Sequence, residues 1–287
     1  MLTIKFARPL FGVSVLALGI QHFIFDYVAA TKPPSTSFLQ SSFQVVGFFY
    51  TVGTIALGAA VLFNYKIKVA AYWLGMMIFS WGLFRHVPLV IVNISDPAEW
   101  NSLFMAVAAS GSAFIMADSV THGVLPFRNR LLSNKLFIKR MGNLCYGSAL
   151  IVFGIQHIVY APFIASLIPS WIPGNYFWAH ITGLALFTAG ISITLEWKNK
   201  FSSLALGIMI CLWIALVHFP RLQANARDYY EWTSLFQAVI IVSGAFVLQQ
   251  NLLEPSRPDQ PMRHTGMPRA SKRRQQLQRR DQAVRSS

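Results

Sequence analysis

Charged residues are scarce in this sequence. Only 12% of the 287 residues are Asp, Glu, Lys or Arg, and 54% are apolar, whereas soluble domains carry about 25% charged residues. Several apolar runs approach the roughly 20 residues that an α-helix needs to cross a bilayer. The alternating segments of about ten residues that form membrane barrels are absent. The composition therefore predicts an all-α integral membrane protein.

Cysteine is scarce as well. Cys145 and Cys211 lie far apart inside apolar runs, and there is no C-x-x-C motif. This argues against a disulfide framework and against thiol–disulfide chemistry, so we interpret both residues as small buried hydrophobes. The sequence also lacks a nucleophile elbow, an H-E-x-x-H motif and a P-loop, which argues against the hydrolases that depend on them.

The basic residues are unevenly distributed. The net charge is +14, but nine of the 24 Lys and Arg residues follow Asn251 and most of the others flank apolar runs. This pattern predicts the lipid bilayer, not nucleic acid, as the partner. We interpret the segment SKRRQQLQRR at 271–280 as an arm attracted to anionic lipid.

An internal repeat is the clearest feature of the sequence. The segment 86–107 recurs at 218–239, an offset of 132, with eleven of 22 positions identical, and FGVSVLALGIQHFIF at 11–25 matches YGSALIVFGIQHIVY at 146–160. Because the partner of the first apolar run lies in mid-chain, we interpret residues 9–30 as a transmembrane helix and not as a cleaved signal peptide.

Eight helices are predicted from the apolar runs, at about 9–30, 41–63, 69–90, 98–117, 144–165, 176–195, 201–222 and 231–250. Pro88 is expected to kink or end the third helix. The predicted divisions are a degenerate four-helix repeat at 1–117, a basic linker at 118–143, a second four-helix repeat at 144–250 and a disordered basic tail at 251–287.

Topology follows from the basic residues. Only four of the 24 fall in the loops after the odd-numbered predicted helices or at the edges of those loops: Lys32, Arg85, Arg221 and Arg227. Since Lys and Arg accumulate on the cytoplasmic side, both termini are predicted to be cytoplasmic. Four helices in each half then give two parallel repeats, related by a pseudo-two-fold axis along the membrane normal.

The repeated polar residues are the predicted site. Ionisable groups at bilayer depth cost about 2.5–3.5 kcal/mol each and tend to be paired or functional. Topology places one cluster in each half at similar depth, towards the outer side. The cluster of the first half comprises His22, His86, Asp96 and Glu99, and that of the second comprises His157, His218, Asp228 and Glu231 with Trp171 and Trp232.

Three interpretations of these clusters remain open. Imidazole can shuttle protons or bond to a quinone carbonyl, and it can also ligate a metal or haem, although no diagnostic haem spacing is present. Alternatively the clusters hold the bundle together. In that case Asp96 or Ser95 is the N-cap, Glu99 favours the helix N-terminus and pairs with Arg85 or His86, and Gln21 and His22 form an interhelical hydrogen-bond pair. Trp232 fits an aromatic belt at the interface as well as a wall on which a ring stacks.

The second half resembles the DoxX-like family of bacterial membrane proteins. The resemblance depends on a P-x-W-x-P run (Pro169, Trp171, Pro173) with Gly183 and Gly190, and it covers about 100 residues. The first half departs from the pattern, because TKPPSTSFLQSSFQ replaces the segment that contains the run, and His180 has no counterpart there. The resemblance implies a four-helix unit, here doubled. Its relatives include a subunit of a thiosulfate:quinone oxidoreductase and other membrane redox components.

These observations give three functional hypotheses. The first is a quinone-interacting component of a redox system in the bacterial inner membrane, with other redox subunits as partners. His157, His218 and Glu231 would then contact the ring, and Trp171 or Trp232 would pack on it. The second is a small-solute or proton transporter, and the third is a structural or assembly factor. Quinone is the favoured cofactor, ahead of haem or a metal.

Overall fold

The structure is a computed structural model that describes residues 2–25, 37–120 and 134–253, and these residues form helices and short connections without a strand. The helices are α1 (Leu2–Ile24), α2 (Ser37–Leu62), α3 (Ile67–Val92), α4 (Pro97–Asp118), α5 (Lys135–Val159), α6 (Ala161–Leu167), α7 (Asn175–Thr194), α8 (Asn199–Ala224) and α9 (Tyr229–Asn251). Eight of them, all except α6, are long and apolar enough to cross a bilayer. The prediction of an all-α, multi-pass membrane protein is confirmed for the described residues.

Two helices, α1 and α5, begin about two turns earlier than predicted. α5 begins at Lys135, inside the segment predicted as linker. Its first turns are amphipathic: Ile138 and Asn143 are buried, while Lys139 Nζ lies 2.6 Å from Glu196 Oε2 in the connection after α7. The predicted start of this helix, near residue 144, was too late because basic residues were taken to interrupt the helix, whereas here they lie on its polar side.

α1 shows the same effect. It begins at Leu2 and continues through Pro9. The Arg8 guanidinium donates to the backbone oxygen and to Oγ of Ser119, at 3.0 and 2.9 Å, at the end of α4. A basic residue near the end of a membrane helix is thus bound by the carboxyl end of a neighbouring helix, where cations are favoured.

α3 and α8 each contain a turn of π-helix, at Gly82–His86 and at Ile214–His218. Each π-turn ends at a histidine and is followed by a proline, Pro88 or Pro220. Proline lacks a backbone donor and disturbs the regular α-helical ladder, and the wider turn accommodates this change without ending the helix. α3 therefore continues beyond Pro88 to Val92. Turns of this kind are frequent at functional sites.

Helix packing connects the first half, α1–α4, with the second half, α5–α9. α1 packs on α2 and on α9, and α5 packs on α7 and on α4; α4 and α9 also contact each other. Glycines permit the closest approaches. A Cβ atom on Gly154 of α5 would lie 2.6 Å from the backbone oxygen of Gly183 on α7, and one on Gly12 of α1 would lie 2.6 Å from the backbone nitrogen of Leu62. Small residues have this role in membrane helices.

Some predictions fall on other parts of the chain. Outside the described residues lie 26–36, which include the end of the first predicted helix, 121–133 in the predicted linker, and 254–287 in the predicted tail. Of the two cysteines, Cys145 is buried but Cys211 is exposed. The prediction that Cys211 is buried was therefore wrong, because Cys211 lies on the side of α8 that faces outwards.

Candidate functional site: two pockets between the helices

Among the described residues, two pockets between the helices contain the repeated histidines. Pocket 1 has a volume of about 280 Å³ and is lined by α1, α2, α3, α4 and α9. Pocket 2 has a volume of about 450 Å³ and is lined by α5 to α9, by Ile168 and by α4. Each pocket thus takes one wall from the last helix of the other half. Pockets for small organic ligands usually have volumes from about 300 Å³ upwards, so pocket 2 is of ligand size and pocket 1 lies just below that range.

Pocket 1 contains most of the cluster predicted for the first half. His22, His86 and Glu99 all line it. Arg85 also lines the pocket and is buried. Arg85 and His22 both lie close enough to His86 to interact with it electrostatically. The Nδ1 atom of His86 is buried and makes no hydrogen bond within the described part of the chain. These groups give pocket 1 a more polar lining than pocket 2.

Aromatic rings form another wall of pocket 1. Tyr50 of α2 stacks on Trp81 of α3, with 4.6 Å between ring centroids and 16° between planes. Both side chains line the pocket. An offset stack of this kind adds packing energy beyond the buried area, and it fixes the position of α2 against α3.

Pocket 2 contains the two histidines predicted for the second half. His157 of α5 and His218 of α8 both line it, together with Arg221. The Nδ1 atom of His157 lies 2.8 Å from the backbone oxygen of Phe153. Since a carbonyl oxygen only accepts, Nδ1 is the donor, and a neutral ring in this tautomer has Nε2 as an acceptor. The rest of the lining is mainly apolar.

Glu231 lies behind the wall of pocket 2, where it is 6% exposed. Arg221 donates to it through Nη2 to Oε1 at 2.6 Å and through Nε to Oε2 at 3.1 Å. This two-bond arrangement is the strong geometry of an arginine–carboxylate pair. Glu231 itself does not line the pocket, so of the two paired residues only Arg221 borders the ligand space.

The aspartates of the predicted clusters are N-caps. Asp96 Oδ1 accepts from the backbone N–H of Ala98 and Asp228 Oδ1 from that of Tyr230, each at 2.9 Å. Neither residue lines a pocket. Each stabilises the amino end of its helix in the usual way.

The tryptophans of the prediction also lie away from the pockets. Trp232 Nε1 donates to the backbone oxygen of Ala226 at 2.9 Å, and Trp100 Nε1 donates likewise to Ile94 at 2.8 Å, so both fasten the loop before their helix. Trp171 is 63% exposed. Neither Trp171 nor Trp232 lines pocket 2.

Two glutamines make hydrogen bonds to the other half of the chain, and of these only Gln21 was among the residues predicted to bond between helices. Gln21 Nε2 of α1 donates to the backbone oxygen of Tyr229 and to Oγ1 of Thr233, both at 2.7 Å. Gln156 Nε2 of α5 donates to the backbone oxygen of Pro97 at 3.2 Å. Pro97 and Tyr229 are equivalent positions of the repeat, so each glutamine of the G-I-Q-H motifs binds the first residue of the last helix of the other half.

Further lining residues were missed although the repeat contained a signal for them. Trp81 and Ile78 line pocket 1, and Trp213 and Ile210, which are identical residues at the offset of 132, line pocket 2. These identities lie just before the segment used for the prediction. Four side chains line both pockets: Asn101, Met105, Gln237 and Ile241.

Metal ligation and similarity to known proteins give no further assignment. Within residues 2–25, 37–120 and 134–253, no three His, Cys, Asp or Glu side chains meet in a way that could hold a metal ion. No family model, no curated protein and no solved structure matches this chain.

Proposed function

We propose that pocket 2 binds a lipophilic molecule with a polar ring, a quinone, and that the protein is a quinone-interacting component of a membrane redox system. The observation that carries this proposal is the lining of pocket 2. His157, His218 and Arg221 converge on a cavity of about 450 Å³ whose other walls are mainly apolar. An apolar pocket with a few convergent polar groups is the usual form of a small-molecule site.

Each polar group has a distinct part in this proposal. A His157 ring held by Phe153 has an acceptor nitrogen for a hydroxyl of the reduced, quinol form. The Arg221 guanidinium, compensated by Glu231, supplies donors for a ring oxygen at limited electrostatic cost. His218 has both Arg221 and Glu231 as electrostatic neighbours. Trp213, whose ring meets Trp178 edge to face at 6.1 Å, supplies an aromatic wall in place of the predicted Trp171 and Trp232.

The proposal includes the finer predictions of architecture. The halves are parallel four-helix repeats of the DoxX-like type, both termini are cytoplasmic, and the protein lies in the bacterial inner membrane. In support, the helices that correspond in sequence make corresponding contacts, and equivalent positions of the repeat line the two pockets. The lipid bilayer and other redox subunits are the partners.

The test is ligand extraction. The full chain is purified in mild detergent, its oxidised-minus-reduced spectrum is recorded, and bound lipids are extracted and identified by mass spectrometry. A quinone should be present and should fall below half occupancy in His218→Ala. The matched control is His180→Ala, because His180 bonds to its own helix at Tyr176 as His157 does at Phe153 but lines neither pocket. A flat spectrum and no extracted quinone would refute the proposal.

Transport of a small solute or proton is a second candidate, favoured by one observation. The side chains of Asn101, Met105, Gln237 and Ile241 line both pockets, so the two cavities are separated by a single layer of side chains. Uptake into proteoliposomes that is lost in Gln237→Leu would favour this function. Uptake that persists in variants lacking every polar pocket residue would exclude it.

An assembly role is the third candidate. The bonds from Gln21, Gln156 and Arg221 join helices of the bundle. If the clusters are only structural, His157→Ala and His218→Ala should lower the yield of folded protein and leave any bound ligand stoichiometric in what remains.

A further inference from the structure

We propose that ligands reach pocket 2 sideways from the bilayer, through an opening between α6 and α8, and that a natural ligand therefore carries an apolar tail. This inference deepens the proposed function, on which its ligand class rests, but the route itself can be tested without knowing the ligand.

Phe163 of α6 is the first observation. Its side chain lines pocket 2 and is also 63% exposed. A side chain that meets both the cavity and the outside marks an edge of the pocket. α6 contributes only apolar groups to the lining: Phe163, Ile164 and Leu167, followed by Ile168.

The surface around this edge is apolar on both sides. On α8, Leu212, Leu216 and Phe219 are exposed, and Trp213 between them lines the pocket. Beside α6, exposed rings continue along the start of α7: Tyr176 and Phe177 are 58% and 59% exposed. Exposed apolar surface on membrane-spanning helices is matched by lipid tails and not by water.

α6 is held by few contacts. It lies outside the main hydrophobic core. Its residues Ala161 and Ala165 pack on Ala179 of α7 in a separate small cluster. The Asn175 amide donates to the backbone oxygens of Ala165 and Ile168, at 3.2 and 3.1 Å. Elements with little buried apolar surface open at low free-energy cost. α6 can thus move without disturbing the bundle, and its position at the pocket edge makes it the gate.

The opening determines the form of the ligand. The polar lining of pocket 2 comes from α4, α5, α8 and α9 together with Thr182 of α7, while α6 and the adjoining part of α8 are apolar. A molecule that places a polar head near His157 and His218 and leaves an alkyl or isoprenoid tail in the opening satisfies both surfaces. A small hydrophilic solute would have to cross an apolar edge.

A pair of equivalent serines gives the test. Ser234 lines pocket 2, and Ser102, its counterpart in the first repeat, lines pocket 1, to which α6 contributes nothing. Ser234→Cys and Ser102→Cys are made separately in the full chain carrying Cys145→Ala and Cys211→Ala, and are reconstituted in liposomes. Each thiol is treated with a lipid-soluble maleimide and, separately, with a sulfonated maleimide that stays in water.

Substitutions at Phe163 give the expected pattern. The lipid-soluble reagent should modify Ser234→Cys faster than the sulfonated one. Phe163→Trp should slow that reaction by about tenfold and Phe163→Ala should accelerate it, while neither changes the rate at Ser102→Cys. Because Phe163 is largely exposed, both variants should retain the melting temperature of the parent.

Three results would overturn the proposal: faster modification of Ser234→Cys from water, rates that do not depend on residue 163, or no modification of Ser234→Cys by the lipid-soluble reagent. The outcome is separate from that of the quinone test. If no quinone is extracted but modification of Ser234→Cys from the lipid depends on residue 163, the opening is supported and the quinone is refuted. If quinone is extracted but modification does not depend on residue 163, the quinone is supported and the opening is refuted.

Discussion

The two pockets are lined from equivalent positions, but their arginines stand one turn apart. In α3 the pocket-lining pair is Arg85 and Leu89; in α8, at the offset of 132, it is Val217 and Arg221. Charged and apolar side chains have exchanged places within one face of the helix. One turn displaces a group by about 5.4 Å along the axis. The position of the positive charge therefore differs between the pockets, whereas both pockets have histidines at equivalent positions.

The remaining lining differs in the same sense. Tyr50 and Thr54 on α2 correspond to Thr182 and Leu186 on α7. Pocket 1 is thus the smaller and more polar of the two, and pocket 2 is the larger and more apolar. Matching positions of the sequence thus line two chemically different spaces that share a wall. Changing equivalent residues in parallel tests this difference.

The largest difference is expected at the buried ion pair of the second half. Arg221→Met leaves the carboxylate of Glu231, only 6% exposed, without its partner. Stranding a buried charge costs about 3–5 kcal/mol, so the melting temperature in detergent should fall strongly. Glu99→Leu, at the equivalent glutamate, should change the free energy of unfolding by less than about 1 kcal/mol, since Glu99 is half-buried.

Two controls make that comparison decisive. Arg227→Met removes an exposed arginine from the same region and should be nearly neutral. The double variant Arg221→Met/Glu231→Leu should recover most of the lost stability, because replacing both members of a buried pair by apolar groups is often tolerated. If Arg221→Met proves as mild as Arg227→Met, the pair does not hold α8 to α9.

The glutamines that bind the opposite half should differ by less. Gln21 makes two bonds at 2.7 Å, whereas Gln156 makes one at 3.2 Å. Gln21→Leu should therefore cost about 1–2 kcal/mol and Gln156→Leu about 0.5–1 kcal/mol. Thermal unfolding of the two variants measures this difference. Equal losses would mean that bond number and length do not determine how tightly each half holds the other.

The helix caps test where the halves should be alike. Asp96 and Asp228 accept the same backbone bond at the same 2.9 Å. Asp96→Ala and Asp228→Ala should each cost about 1 kcal/mol, and Asn at either position should retain most of the stability because Asn also caps well. Clearly unequal losses in melting temperature would show that one of the two loops is stabilised by something other than its cap.

Sequence reasoning identified these elements where a local rule determines them. Apolar runs predicted the eight spans, and Asp96 was one of two N-cap candidates for the fourth span, with Ser95. The cation that pairs with Glu231 was not predicted, because Arg221 and Glu231 meet only where α8 packs on α9. Pro88 predicted a kink or an end of the third helix, and the wider turn that accommodates the proline was not expected.

The lining of the pockets was predicted in part. His157 and His218 were identified because they recur, but recurrence does not separate a residue that lines a pocket from one that binds a loop. Trp232 recurs and binds the loop at Ala226, whereas Trp213 recurs and lines pocket 2. The start of α5 at Lys135 was missed because its basic side chains hide an amphipathic turn whose partner, Glu196, is distant in sequence.

The smallest difference is expected at the turns that follow α2 and α7. Asn64 and Glu196, which are equivalent positions of the repeat, both have positive φ, 56° and 54°. Only the second carries a charge, which pairs with Lys139. Burial acts to raise the pKa of the Glu196 carboxyl, but its hydrogen bonds to Lys139 and Asn143 and the Lys139 charge outweigh that effect and hold the pKa below its usual 4.5.

A lowered folded-state pKa means that the Glu196 pair contributes stability above about pH 4.5, the pKa of the unfolded state, and that this contribution is lost as the pH falls through the folded-state pKa. Since both side chains are about one-third exposed, the contribution should stay below about 1 kcal/mol. Glu196→Gln should lower the melting temperature slightly at pH 7 and flatten its fall between pH 5 and about pH 3. Asn64→Asp adds a carboxylate at the equivalent turn, and it should change the dependence of the melting temperature on pH in that range less than Glu196→Gln does. A change of equal size would show that a charge at this turn acts without Lys139.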